Sequence, residues 1–143
     1  MTLEQNKTLV REFIDAANRR DWQRFDTLVA VGVVRHSNGW GQPQVCSREQ
    51  LREFLVREAE TFPDAQETIR LLVAEDDKVA AHLTFGGTQL GPMGPFPASG
   101  KPLTLDFMAI FRLEKGRIAE VWVEWDNLSG LVQLGHLRLP FQP

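Results

Sequence analysis

Residues 102–126 read PLTLDFMAIFRLEKGRIAEVWVEWD. Apolar side chains recur at every second position on both sides of Glu114-Lys115-Gly116. The stretch therefore reads as two antiparallel strands, about 102–113 and 117–126, joined by a tight turn. Alternation sorts these residues onto two faces. One face takes Leu105, Phe107, Ala109 and Phe111, then Val121, Val123 and Trp125. It is uniformly apolar and should meet a layer of helices. The other takes Asp106, Met108, Ile110, Arg112, Glu120, Trp122 and Glu124. Met108, Ile110 and Trp122 are too apolar for a face seen only by water, which predicts a partner there, most simply a second copy of the chain.

Upstream, the same alternation gives strands at about 67–74 and 78–88, with Asp76-Asp77-Lys78 as their turn. Val79, Ala81, Leu83 and Phe85 extend the apolar face. Between the strands at 78–88 and 102–113 lies QLGPMGPFPASGK, residues 89–101. A connection of this length predicts a partly mobile flap, with Met93 or Phe96 closing over a cavity or a partner. Before Pro63 the period is helical. Thr2 and Gln5 have capping-box spacing ahead of a helix reaching Arg19, with Leu3, Val10, Phe13, Ile14 and Ala17 on one face. Asp21 caps a short helix carrying Trp22, Phe25 and Leu28, and Val31 to His36 reads as a strand. Ser47 and Gln50 open a third helix with Leu51, Phe54, Leu55, Ala59 and Phe62 inward. Asp126 caps a last short helix, Asn127 to Leu134, ended by Gly135. Three helices followed by a run of antiparallel strands make an α+β layer, helices on one face of a curved sheet.

The chain has 143 residues, which fits a single domain over 1–143. A net charge of −3 with scattered Lys and Arg gives no basic face for nucleic acid. No apolar run approaches the ~18 residues of a membrane span. Cys46 is the single cysteine, so an intrachain disulfide and a zinc–cysteine cluster are both excluded. With no secretory pattern at MTLEQNKTLV, a cytoplasmic protein is expected. Gly94 to Lys101 fails as a phosphate loop, because five residues separate its glycines and Pro102 follows the lysine. His36, His82 and His136 are too far apart for paired metal ligands, so no metal is expected.

The order of elements resembles the nuclear-transport-factor-2-like cone fold, and within it the SnoaL-like polyketide cyclase family, whose members are often labelled ester cyclases. NKTLVREFIDAANRRDW (6–22) matches the first helix and its exit, and VVRHS (33–37) the first strand. TFPDAQETIRLLVAEDDKVAAHLTFGGTQLGPMGPFPASGKPL (61–103) matches the central hairpin and loop. IFRLEKGRIAEVWVEWDNLSGLVQLG (110–135) matches the closing hairpin and last helix. The resemblance implies three N-terminal helices on a curved, mainly antiparallel sheet, with a pocket between the helices and the concave face. It implies general acid/base chemistry without a cofactor, of cyclisation or isomerisation type, on an apolar or polyketide-like carbonyl compound. In that family the last strand often reads His-Trp-Asp, and those positions here are Val121-Trp122-Val123. The usual acid/base pair does not carry over.

A pocket in that place is walled by Phe85, Phe107, Val121, Val123 and Trp125, which suits a small apolar or aromatic ligand. The resemblance puts His36 at the pocket, where a neutral imidazole can serve as a base. Its other reading is a partly buried histidine bonded to loop backbone. Asp126 is either an acid/base at the pocket rim or simply the cap of the last helix. Asn38 and Gln89 are uncharged donors near the expected mouth, and Trp40 covers it. If the chain is an enzyme, elimination on the strand faces leaves His36 as the proton carrier and Asp126 as the runner-up. Two other functions stay open: a non-catalytic domain that binds a small molecule, favoured by the apolar Val121, Val123 and Ala109, and an assembly role for the outer sheet face.

Overall fold

The computed structural model describes residues 1–38 and 42–141. At the head of α1 (Leu3–Arg19), the Gln5 amide donates to Thr2 Oγ1 at 3.1 Å and the Thr2 amide to Gln5 Oε1 at 2.8 Å. This reciprocal pair satisfies donors that a helix start leaves free. Asp21 caps α2 (Trp22–Leu28) by accepting from the Arg24 amide, and Ser47 caps α3 (Arg48–Thr61) by accepting from the Gln50 amide. The strands are β1 (Val29–Ser37), β2 (Gln66–Glu75), β3 (Lys78–Thr88), β4 (Pro102–Glu114) and β5 (Arg117–Trp125), and α4 (Asn127–Gln133) closes the order. β1 starts before the expected Val31.

The five strands form one sheet in the order β1-β5-β4-β3-β2. β1 runs parallel to β5 and every other neighbour is antiparallel. Register shifts lie between Val29 and Val34, Ile69 and Leu71, and Arg112 and Leu113. Such bulges bend a sheet, and this one curves around the helices as an open α+β layer. Asp76, Lys115 and Gly116 take positive φ in the two hairpin turns.

The concave face is the apolar one. Leu83, Phe85, Phe107, Ala109, Phe111, Val121 and Val123 are buried there. α1 supplies Val10, Phe13 and Ile14, and the Phe13 ring lies 5.7 Å from Phe111 and 5.8 Å from Phe25. Leu3, expected on the inward face, is exposed, because it sits on the first turn before α1 reaches the sheet. On the convex face Leu71, Val73, Met108 and Ile110 are exposed.

Residues 89–101 are tied down rather than loose. The Leu90 and Gly91 amides donate to Thr61 O, Thr61 Oγ1 donates to Pro92 O, and the Gln89 amide donates to Lys101 O. Gly91 is required by close approach: a Cβ there would lie 2.8 Å from Glu60 O. No helix among the described residues is long and apolar enough to cross a membrane.

Candidate active site

Between the concave face and the helices lies a cavity of two chambers. The inner one, about 80 Å³, is walled by Phe85, Phe107, Ala109, Val121, Val123 and Trp125 from the sheet, with α1 and α3 opposite. The outer one, about 450 Å³, runs between α3, α4 and the 89–101 segment, where Met93, Phe96, Leu105 and Leu131 line it. Phe54, Glu58, Phe85 and Trp125 border both chambers. The Trp125 ring stacks on Phe107 at 4.0 Å and meets Phe85 edge-on at 5.8 Å. Its indole Nε1 is buried without a hydrogen-bond partner.

Charge is concentrated at the inner end, where Arg20, Arg35, Glu58 and Glu67 all face the cavity. Each arrives there for a local reason. Arg35 pairs with Val121 across β1 and β5, so it shares the concave face. Its guanidinium lies 4.2 Å over the Phe54 ring, and its Nη1 donates to Gln42 Oε1 at 2.9 Å. Glu58 stands one helical turn after Phe54 on α3 and so points the same way. Glu67 pairs with Phe85 across β2 and β3. Asn18 fixes its backbone from both sides: Asn18 Nδ2 donates to Glu67 O at 2.9 Å, and the Glu67 amide donates to Asn18 Oδ1 at 2.8 Å. Arg20 donates to Asn18 O, Ala65 O and Pro63 O, which closes that corner.

These surroundings shift the acids strongly. Burial pushes the Glu67 carboxyl up to about 8, aided by the neighbouring Glu58 charge and opposed by Arg35. Burial raises Glu58 to about 6, with Arg35 and then Arg20 pulling the other way. Burial draws Arg35 below its ordinary value, opposed by Glu58 and Glu67. The cavity thus holds a neutral-leaning acid, a second acid that ionises more readily, and a cation.

The residues singled out from the sequence divide. Phe85, Phe107, Val121, Val123 and Trp125 all line the inner chamber. His36 does not reach the cavity. It pairs with Trp122 across β1 and β5, stacks on that ring at 5.3 Å, and its Nε2 lies 2.6 Å from Glu120 Oε2 on the convex face. Val34 and His36 do point the same way, but that way is outward, while Arg35 between them points in. The bond to His36, with a further one from Arg112, holds Glu120 below the usual carboxylate range. Asp126 caps α4, its Oδ1 accepting from the Ser129 amide at 3.0 Å, and it also borders the outer chamber.

Asn38 is exposed, and its carbonyl accepts from Asn127 Nδ2 at 3.3 Å. Trp40 lies outside the described residues. Gln89 is not a donor at the mouth. It is fully buried, its Nε2 donating to Gly91 O, Phe96 O and Pro97 O and its Oε1 lying 2.7 Å from His136 Nε2. Its amide is consumed in holding the 89–101 segment. Among the described residues no group of three His, Cys, Asp or Glu side chains could hold a metal. Sequence reasoning missed Arg35, Glu58 and Glu67, although a charged residue amid Leu51, Phe54, Leu55 and Ala59 on the inward stripe of α3 was a readable signal for Glu58.

A family model described as SnoaL-like polyketide cyclase matches residues 7–134. Among solved structures, TsrD from Streptomyces laurentii is 31% identical, with 96% of this chain and 99% of that one covered and a TM-score of 0.83. IdmH from Streptomyces antibioticus is 26% identical over 92% of this chain and 99% of that one, at a TM-score of 0.80. A SnoaL-like polyketide cyclase from Agrobacterium tumefaciens is similar in fold, at 21% identity, 94% and 100% coverage and a TM-score of 0.79. No curated protein matches.

Proposed function

The chain belongs to the SnoaL-like polyketide cyclase family, and from that membership we propose that it is an enzyme using cofactor-independent general acid/base chemistry on a small apolar carbonyl compound. The observation that supports this is the cavity itself: an aromatic and aliphatic wall continuous with one ionisable inner end. The outer chamber, about 450 Å³, falls in the range of pockets that enclose a small organic molecule. Its wall excludes water and restrains the bound conformer, which brings reacting carbons together without an external reagent. Proton transfer at the inner end then suffices for ring closure or isomerisation.

A second reading, a non-catalytic binding domain, is favoured by Val121 and Val123, which leave the β5 wall without a proton carrier. Both readings need the ligand in the cavity. Titration with 2-tetralone, a bicyclic apolar ketone, followed by tryptophan fluorescence, tests this. Leu131→Glu puts a charge into the outer wall on a half-buried turn of α4 and should weaken binding at least ~10-fold, given the cost of burying an unpaired charge. Unchanged affinity would place the ligand elsewhere.

We also propose that the convex face joins two copies of the chain. Leu71, Val73, Met108 and Ile110 form its exposed apolar strip, and the same face carries Arg70 and Arg112 alongside Asp106 and Glu124. Mixed charges around an apolar strip suit a two-fold contact, in which each patch meets its own copy.

A further inference from the structure

Glu58 and Glu67 are the most unusual groups in the molecule. Both face the cavity, and neither carboxyl group has a hydrogen-bond or ion-pair partner among the described residues. Several other acids do have partners: Glu120 meets His36 and Arg112, Asp64 meets Thr88, and Asp126 meets the Ser129 amide. Both side chains are half-buried, and a carboxyl group turned into a largely apolar cavity without a partner is costly unless something there completes it. The unpartnered Trp125 Nε1 borders the same space.

We propose that Glu58 and Glu67 are the proton-transfer pair of this cavity, Glu58 as base and Glu67 as acid, with Arg35 holding the oxygen on which charge develops, and that the substrate is an enolisable ketone whose apolar body fills the outer chamber. This rests on the acid/base reading given above. Position separates the two roles. Glu58 borders both chambers and meets whatever bridges them, whereas Glu67 lies at the inner end only, with its backbone fixed by Asn18. The environments push the two acids apart in the matching order, Glu67 above Glu58, so near neutral pH one holds a proton and the other does not.

The step balances. The carboxylate of Glu58 takes the proton from the carbon beside the carbonyl. The electron pair of that C–H bond becomes the carbon–carbon double bond of the enol, and the carbonyl π pair moves to oxygen. That oxygen takes the proton of Glu67. The pair still holds one proton, now on Glu58, with the negative charge moved to Glu67. The reverse transfer restores the start; so does attack of the enol carbon on a second carbonyl of the same molecule, in which the enol O–H proton returns to the Glu67 carboxylate, the first C=O re-forms, and the new alkoxide takes the proton of Glu58. Arg35 stacks on Phe54 and is fixed by Gln42, so its charge is in place before the oxygen needs it.

The test is deuterium exchange at the carbons beside the carbonyl of 2-tetralone in D₂O, followed by proton NMR, with binding read in the same samples by saturation transfer. Wild-type protein should bind the ketone and speed exchange over buffer. Glu58→Gln and Glu67→Gln should still bind it and lose at least ~10-fold of the acceleration, the cautious end of the about 10²–10⁴ that one acid or base contributes. Variants that bind and exchange at the wild-type rate overturn the assignment. Binding without acceleration by the wild type overturns proton transfer and leaves a binding domain. No binding overturns the reading on which the proposal rests.

A measurement on the unaltered protein covers the case of a variant that does not fold. The charged groups facing the inner chamber are Arg20 from the end of α1, Arg35 from β1, Glu58 from α3 and Glu67 from β2, with Arg57 and Asp126 on the outer chamber. The exchange rate should rise with pH as Glu58 ionises near about 6 and fall as Glu67 loses its proton near about 8. A flat profile, or one that rises without a fall, refutes the pair.

Discussion

Replacing Glu67 with glutamine removes a carboxyl group that the cavity keeps neutral and puts an uncharged amide of nearly the same shape in its place. In the unfolded chain this carboxyl titrates near 4.5, and in the folded one near about 8. A raised pKa means the folded state holds the proton more tightly, so this group weakens folding as pH rises. The penalty is absent below about 4.5, grows through the interval, and is complete above about 8. Roughly 3.5 pH units at about 1.4 kcal/mol each set an upper limit of about 5 kcal/mol. Relaxation around the charge and entry of water at this half-buried position lower this to about 2–3 kcal/mol at pH 8, taking half the limit.

For a domain of this size each kcal/mol moves the melting temperature by about 3 °C, so Glu67→Gln should melt about 6–9 °C above the wild type at pH 8. At pH 4.5 the two should melt together. Circular dichroism melts at pH 4.5, 6, 7 and 8.5 measure the gap directly. A gap that stays constant, or that favours the wild type as pH rises, refutes the claim that Glu67 is held in its neutral form. A site group that costs folding stability and contributes nothing to the core is the signature of a function retained against stability.

Three further outcomes are expected. His36→Ala should leave ketone binding and exchange unchanged and cost less than about 1 kcal/mol, because it breaks a solvent-exposed side-chain contact with Glu120 on the convex face; a tenfold loss of exchange would return the base to that face. Gln89→Leu strips the donor from Gly91, Phe96 and Pro97 carbonyls and the partner from His136, and should cost about 1–3 kcal/mol and speed amide hydrogen exchange across 89–101; unchanged exchange would show that the proline-rich segment holds itself. Ile110→Asp should convert a particle of twice 16.2 kDa into one of 16.2 kDa by light scattering; a wild type already at 16.2 kDa would remove the convex-face contact.

The fold was legible because β3, β4 and β5 contrast sharply at every step. Leu105, Phe107, Ala109 and Phe111 against Asp106, Met108, Ile110 and Arg112 leave one way for the strand to lie. Caps were equally plain, since Thr2, Asp21, Ser47 and Asp126 each accept from an amide of the first helical turn. β1 gave no such contrast. Val33 and Val34 are both apolar, and Arg35 and His36 both join an apolar stem or ring to a polar end, so either parity satisfies the pattern. What decides it is the parallel pairing with β5, together with the register shift between Val29 and Val34. Neither is local, so the pattern alone does not tell which of Arg35 and His36 faces the cavity, and the resemblance points to His36 where the pairing turns Arg35 inward.

Glu67 was hidden by a related cause. Simple alternation from Leu71 and Val73 back along β2 assigns Glu67 to their face, which is the convex one. The register shift between Ile69 and Leu71 changes the phase, so Glu67 and Ile69 point in while Leu71 and Val73 point out. The bulge that bends the sheet around the helices is thus also what turns a carboxyl group into the cavity. That gives the valines at 121 and 123 a physical context. With β5 offering only apolar contacts to the cavity, the proposed proton-transfer groups stand on β2 and α3, with Arg35 on β1 beside Val121. An apolar cavity does not care which wall supplies the acid, provided that the acid and base border the same space and a cation faces it too. Under the proposal above, Glu58, Glu67 and Arg35 meet that condition from three separate elements, so the cavity would keep a complete proton-transfer set although β5 turns none into it.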